Sequence, residues 1–242
     1  MTTKQLVEEV PLAININGVN FAVMLASPFD IEDFVVGYLH SESVIKYNRD
    51  IHEINIEPHQ DARIVDVTIA NRCLEQLRSR QRQLKGTSGC GLCGSQSLEV
   101  AFPKLEALPN SAPFDLKLAA ELKHQLRPWQ IHGANSGALH AAFWLDKKAK
   151  IQFCREDIGR HNALDKIIGH VKRRQLDTTD SAVLVTSRCS VELVQKTVLA
   201  RIPNLLSLAS PSTLAVKLAQ QSKLNLIHIP KHDAPYLLSG ES

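Results

Sequence analysis

Aromatic residues make up only 5% of the 242 positions, so any core must rest on Leu, Ile, Val and Ala. There is no apolar run near the roughly 18 residues that a membrane span requires. The first residues, Met1 to Val10, are polar and acidic, not a basic stretch leading into an apolar one, so they do not read as a secretory leader and the cytoplasm is the expected compartment. Neither sign of charge is in large excess. The formal net charge of +3 is too small to argue for non-specific attraction to nucleic acid. The clusters Arg78-Ser79-Arg80-Gln81-Arg82 and Lys172-Arg173-Arg174 are short and read as solvated helix faces. No GxGxxG or Walker pattern, convincing nucleophilic triad or internal repeat occurs. The five cysteines, at 73, 90, 93, 154 and 189, are odd in number and scattered, which suits reduced thiols better than a disulfide framework.

What is present is an ordinary globular composition, 44% hydrophobic and 22% charged. Leu12, Ile14 and Ile16 alternate with polar neighbours up to Asn17-Gly18, and Val19, Phe21, Val23 and Leu25 alternate beyond it. Asn-Gly between two such runs predicts a hairpin. Ser27-Pro28 reads as a cap and first turn of a helix carrying Phe34, Tyr38 and Leu39. Short strands near 51–56 and 63–69, a polar helix near 72–84, a Pro-containing connector over 101–112 and a helix near 115–126 follow. The second half predicts a hairpin of 139–145 with 149–153, then helix 160–173, strand 182–186, helix 190–201, strand 204–209, helix 211–222 and strand 224–229. The expected class is α/β, a mixed sheet with flanking helices. The N-terminal hairpin is attached to that body or forms a small lobe at about residues 1–70 of a single domain.

Four segments carry chemistry. In Ser88-Gly89-Cys90-Gly91-Leu92-Cys93-Gly94 two thiols sit among three glycines, which let a bulky partner approach the backbone. Three readings stand: half of a tetrahedral zinc site completed by His140, Cys154 or Cys189; a redox pair; or a thiolate that accepts and passes on sulfur. The run from Arg155 to Lys166 has eight polar or ionisable side chains in twelve, where a strand hands over to a helix. A helix N-terminus there suits phosphate, with Arg155, Arg160 and His161 supplying charge and Asp157 or Asp165 meeting ribose hydroxyls or orienting the arginines. The bland alternative is a capped helix with surface ion pairs. His140, in Gly137-Ala138-Leu139-His140-Ala141-Ala142, is either a satisfied core histidine or a base facing the thiol loop. Ala142 stands where a zinc deaminase would carry its glutamate, which argues against deamination. In Thr186-Ser187-Arg188-Cys189-Ser190, ahead of Glu192, Arg188 can meet a second phosphate, Ser190 can cap, and Cys189 reads as packed.

On these stretches, together with Val191–Lys196 and Ala200–Leu218, the chain resembles the FdhD family, sulfur carriers required for formate dehydrogenase activity. The resemblance implies a core similar to the cytidine deaminase fold without its zinc, a homodimer, and no resident metal. It implies a sulfurtransferase that accepts sulfur from a cysteine desulfurase as a persulfide. The recipient would be molybdenum bis-molybdopterin guanine dinucleotide, supplied with sulfur before it enters formate dehydrogenase. Cys90 would bear the persulfide and Cys93 would assist or resolve it. The cofactor-contacting loop would be Ile229, Pro230, Lys231, His232, Asp233 and Ala234, joined by His140, Arg160, His161 and Arg188. That loop is less basic than is usual in the family, and Ser187 replaces a common glycine before Arg188. A zinc-stabilised binding module and a cofactor chaperone without sulfur chemistry are the alternatives.

Overall fold

The computed structural model describes residues 6–75, 105–134 and 136–240. Strands β1 (Val10–Ile16) and β2 (Val19–Ala26) form the expected hairpin. Asn17 and Gly18 both take positive φ, 48° and 78°, as a two-residue turn matching the strand twist demands. β1 also pairs in parallel with β4 (Ala62–Ile69), which pairs antiparallel with β3 (Ile51–His59), so the first sheet runs β2-β1-β4-β3. Leu12, Ile14 and Ile16 point to one face and are fully buried, the period-2 outcome of their alternation.

Helix α1 (Ile31–Ser41) covers that face. It does not start at Ser27-Pro28. Asp30 precedes it in the left-handed region, at φ 54°, and Ser27 is recruited elsewhere: its N–H donates to Asp157 Oδ2 (3.0 Å) and its Oγ accepts from Ile158 N–H (3.1 Å).

The second sheet runs β10-β9-β8-β7-β5-β6, with β5 (His140–Leu145), β6 (Ile151–Asp157), β7 (Ala182–Arg188), β8 (Asn204–Ala209), β9 (Asn225–His228) and β10 (Tyr236–Ser239). β7, β8 and β9 are parallel, while β5 is antiparallel to both of its neighbours. Both faces are covered, which explains the near-continuous apolar runs of β5 and β7. On one face Ala142, Trp144, Val183 and Leu205 pack under α3 (Arg160–Arg173), α4 (Val191–Leu199) and α5 (Thr213–Gln221). On the other, Phe143, Leu184 and Ile227 meet Phe114 and the short α2 (Leu116–Leu122), which Asp115 caps. The described chain is thus α/β with two mixed sheets and five α-helices. Two expectations need correction. α5 starts at Thr213, where Ser212 caps it by accepting from Ala215 N–H (3.1 Å), not at residue 211. The loop Ile229–Ala234 does not follow the last strand but joins β9 to β10, a strand of only four residues. Where a helix near 72–84 is predicted, Asn71–Cys73 form a 3₁₀ turn and Leu74 and Glu75 are helical, while 76–84 lie outside the described residues.

The helix layers meet where α1 crosses α3 glycine to glycine. A Cβ on Gly37 would stand 1.8 Å from the Asp165 carbonyl oxygen, and one on Gly169 would stand 1.7 Å from that of Asp33. Nothing flexible is there to move aside. Gly169→Ala is therefore expected to force the helices apart and destabilise the protein by about 3 kcal/mol or more. Denaturant unfolding checks this, with Ala163→Gly (buried in the same helix) giving the cost expected from helix propensity and lost packing alone.

Candidate functional site at the carboxyl edge of the larger sheet

β6, β7, β8 and β9 all run the same way, so Asp157, Arg188, Ala209 and His228 end on one edge of the sheet. His140, opening β5, pairs in register with Asp157, and Ala141 N–H donates to Thr186 Oγ1 (3.0 Å). The N-termini of α3, α4 and α5 follow β6, β7 and β8 on that edge. Such an edge, with unpaired N–H groups and three positive dipole ends, is where open α/β sheets bind anionic ligands.

The run from Arg155 to Lys166 builds this edge, with its charges divided between scaffold and surface. Asp157 is fully buried and accepts from Ser27 N–H (3.0 Å), Gly159 N–H (2.8 Å) and Asn162 Nδ2 (2.9 Å) while pairing with Lys166 Nζ at 2.7 Å. Lys166 also donates to the Glu156 carbonyl (3.0 Å) and lies over the Phe29 ring. Burial pulls its pKa down and Asp157 opposes that shift. Asp165 accepts from Ser41 Oγ (2.7 Å) and from Lys196 Nζ (2.6 Å). Arg155 is bound to Asp33 (2.8 Å), and Glu156 accepts from the N–H groups of His132 and Gly133 (2.8 and 2.9 Å). Asp157 and Asp165 are therefore not free to meet ribose hydroxyls, and Arg155 is not free to meet phosphate. Arg160 and His161 keep partly exposed side chains.

His161 Nε2 lies 2.6 Å from Glu192 Oε2 and 3.3 Å from Ser190 Oγ. Ser190 occupies the cap position of α4, yet its side chain caps nothing in the helix. The His161 hydrogen bond leads the causes that hold the Glu192 carboxyl below its ordinary range, against burial. The Glu192 carboxylate accepts from His161 Nε2 and so orients the imidazole. The sequence offers little warning of this pair, since 31 positions separate the two residues. An acidic residue in a helix first turn is the one signal, and dipole complementarity explains it equally well. Burial, then the Arg160 charge, lowers the His140 pKa, so His140 is neutral near pH 7.

Arg188 is exposed at the end of β7. In the β9–β10 loop Ile229 is buried in the core, and the Pro230 carbonyl accepts from Lys123 Nζ. Lys231, His232, Asp233 and Ala234 are exposed. With strands about 4.8 Å apart, this loop stands about 10 Å from the end of β7 and about 19 Å from that of β6. The edge brings His140, Arg160 and His161 into one group, with Arg188 and the loop further along it.

Cys90 and Cys93 lie outside the described residues. The three described cysteines are poor nucleophiles. Burial pushes Cys189 up to about 12, and it raises Cys154 and Cys73 as well, aided by the charges of Glu156 and Asp50 respectively. Among the described residues no group of three His, Cys, Asp or Glu side chains is placed to hold a metal ion.

The profile of the FdhD/NarQ family matches residues 7–242. The chain belongs to the FdhD/NarQ family. Among relatives of known name, the sulfur carrier protein FdhD of Xanthomonas axonopodis pv. citri is 39% identical over 226 residues, 93% of this chain and 80% of that protein. The sulfur carrier protein FdhD of Bordetella petrii is 37% identical over 220 residues, 91% of this chain and 79% of that one. A solved structure from Desulfotalea psychrophila, a candidate formate dehydrogenase accessory protein, superposes with a TM-score of 0.70 at 23% identity, covering 96% of this chain and 87% of that one. At that identity it shows the fold, which this family member shares. No helix among the described residues is long and apolar enough to cross a membrane.

Mild alkylation with iodoacetamide at pH 7.5, followed by peptide mass spectrometry, is expected to label Cys90 or Cys93 while sparing Cys73, Cys154 and Cys189 in the folded protein. All five should label after denaturation.

Proposed function

We propose that the chain is a sulfur carrier serving formate dehydrogenase: a sulfurtransferase that takes sulfur from a cysteine desulfurase and delivers it to a molybdenum cofactor bearing guanine nucleotides. The observation that carries this reading is the carboxyl edge, where Arg160, His161 and Arg188 stand beside three helix N-termini in a member of the FdhD/NarQ family. The chemistry falls to Cys90 and Cys93, because the other three thiols are held away from ionisation.

Cys90, as thiolate, attacks the outer sulfur of the desulfurase persulfide. A bond from Cys90 Sγ to that sulfur forms as the donor's S–S bond breaks, and the donor leaves as a thiolate. Once the recipient is bound, Cys93 attacks Cys90 Sγ, forming a Cys90–Cys93 disulfide and releasing hydrosulfide, so the two electrons that reduce the carried sulfur come from the thiol pair. Bis-molybdopterin guanine dinucleotide is the substrate that receives it. Its phosphates meet Arg160, the first turns of α3 and α4, and Arg188, while Lys231 and His232 approach from the β9–β10 loop. The edge spans about 19 Å, a reach suited to an extended dinucleotide. His161, oriented by Glu192, and neutral His140 are the groups able to move a proton there.

The finer structural reading is a deaminase-type core that has lost its metal chemistry, in keeping with Ala142 in place of an acid. We read the chain as one domain acting as a homodimer in the cytoplasm, with no nucleic-acid partner and no resident metal.

Incubation with desulfurase and cysteine should add one sulfur atom, seen by intact mass. Cys90→Ala should lose the adduct and Cys93→Ala should keep it; an adduct that survives Cys90→Ala overturns the assignment. Arg188→Ala should weaken guanosine diphosphate binding, followed by calorimetry, about 10- to 100-fold, the worth of a charge-assisted contact to phosphate.

A further inference from the structure

At the other end of the helix layer, where α1, α3 and α4 finish, lies a cavity of about 900 Å³. None of the residues of the carboxyl edge lines it. Its volume is that of a small-molecule pocket. Val171, Leu176 and Val198 give it an apolar wall, and Tyr47 adds an aromatic ring with Arg49 stacked 4.8 Å from its centroid.

The charge of the lining is one-sided. Among the described residues, Lys46, Arg49, Lys172 and Arg201 face a single carboxylate, Glu106. Glu106 is 87% exposed and 3.6 Å from Arg201, so solvent screens that pair heavily. Three helix C-termini oppose the cations with up to about half a negative charge each. Lys172 answers one of them through the Ala200 carbonyl (3.1 Å). A net three positive side chains against about one and a half negative leaves the cavity positive.

His40 also lines the cavity, at 8% exposure. Burial and the charge of Lys172 push its pKa down to about 3, so the ring is neutral. It therefore adds no charge to the wall, and the positive character of the cavity rests on the lysines and arginines.

We propose that this cavity binds a small organic anion, its apolar or aromatic body against Val171, Leu176 and Val198 and its negative group toward Arg49 and Arg201. The occupant bridges α1 of the first sheet layer to α3 and α4 of the second, so binding also braces the two layers.

The probe is 1-anilinonaphthalene-8-sulfonate, with its neutral relative N-phenyl-1-naphthylamine as control, both followed by fluorescence titration of the full chain. Saturable binding of the sulfonate at one site is expected, at least about tenfold tighter than the neutral compound. Leu199→Trp, which fills the cavity from a partly exposed position, should abolish it. Arg49→Ala with Arg201→Gly should weaken it about tenfold; glycine suits the positive φ of 64° at position 201. Arg188→Ala, at the opposite edge, should leave it unchanged, which separates this site from the proposed nucleotide site. Circular dichroism confirms that each variant folds. No binding by the parent protein, equal affinity for the neutral compound, or binding unaffected by both cavity variants overturns the proposal.

Discussion

A side chain of even one carbon at position 37 or 169 would keep α1 and α3 from the distance at which they cross, because each glycine faces a backbone carbonyl of the other helix. Much else is set by that closeness. It brings Asp33 of α1 within reach of Arg155 (2.8 Å), His170 (3.0 Å) and Arg173 (2.6 Å). Burial alone would raise the Asp33 pKa, yet hydrogen bonds from the two arginines hold it below the ordinary carboxylate range. The same approach seats Ser41 on Asp165 and hence on Lys196 of α4. A wider crossing would lengthen every one of these contacts, and a buried carboxylate that loses its partners is costly.

The buried pairs do more for geometry than for stability. Asp157–Lys166 and Asp165–Lys196 are removed from water almost completely, so their attraction is largely offset by desolvation. What they contribute is position. Asp157 gathers the first turn of α3, the end of α1's lead-in at Ser27 and the end of β6 around one carboxylate. Arg160 and His161 are thereby presented outward from a helix start that has little freedom to shift, and preorganisation of this kind favours phosphate recognition.

Local chemistry was legible in the sequence, and long-range pairing was not. The Asn17-Gly18 turn could be read because its left-handed conformation depends on those two residues alone. The central strands β5 and β7 could be read because burial on both faces makes them nearly continuous apolar runs. The start of α1 was misread because Ser27, an apt cap by type, is claimed by Asp157, 130 positions away. The run from Arg155 to Lys166 was recognised as unusual, but the duties of its acids depend on Lys166, Ser41 and Lys196, so position along the chain could not separate scaffold from surface. β10 escaped notice because four residues are too few to show a period. Nothing local to Glu192 points to His161, 31 positions away.

The crossing of α1 on α3 also has a consequence for how the protein is made. Residues 10–69 contain every strand of the first sheet, so that sheet can pair while the rest is still being translated. The outer face of α1 has no such local solution, since its partner glycine at 169 is about 130 residues further on. At about 5–20 residues per second, a nascent chain would carry a half-covered apolar helix for on the order of ten seconds before α3 emerged to close over it.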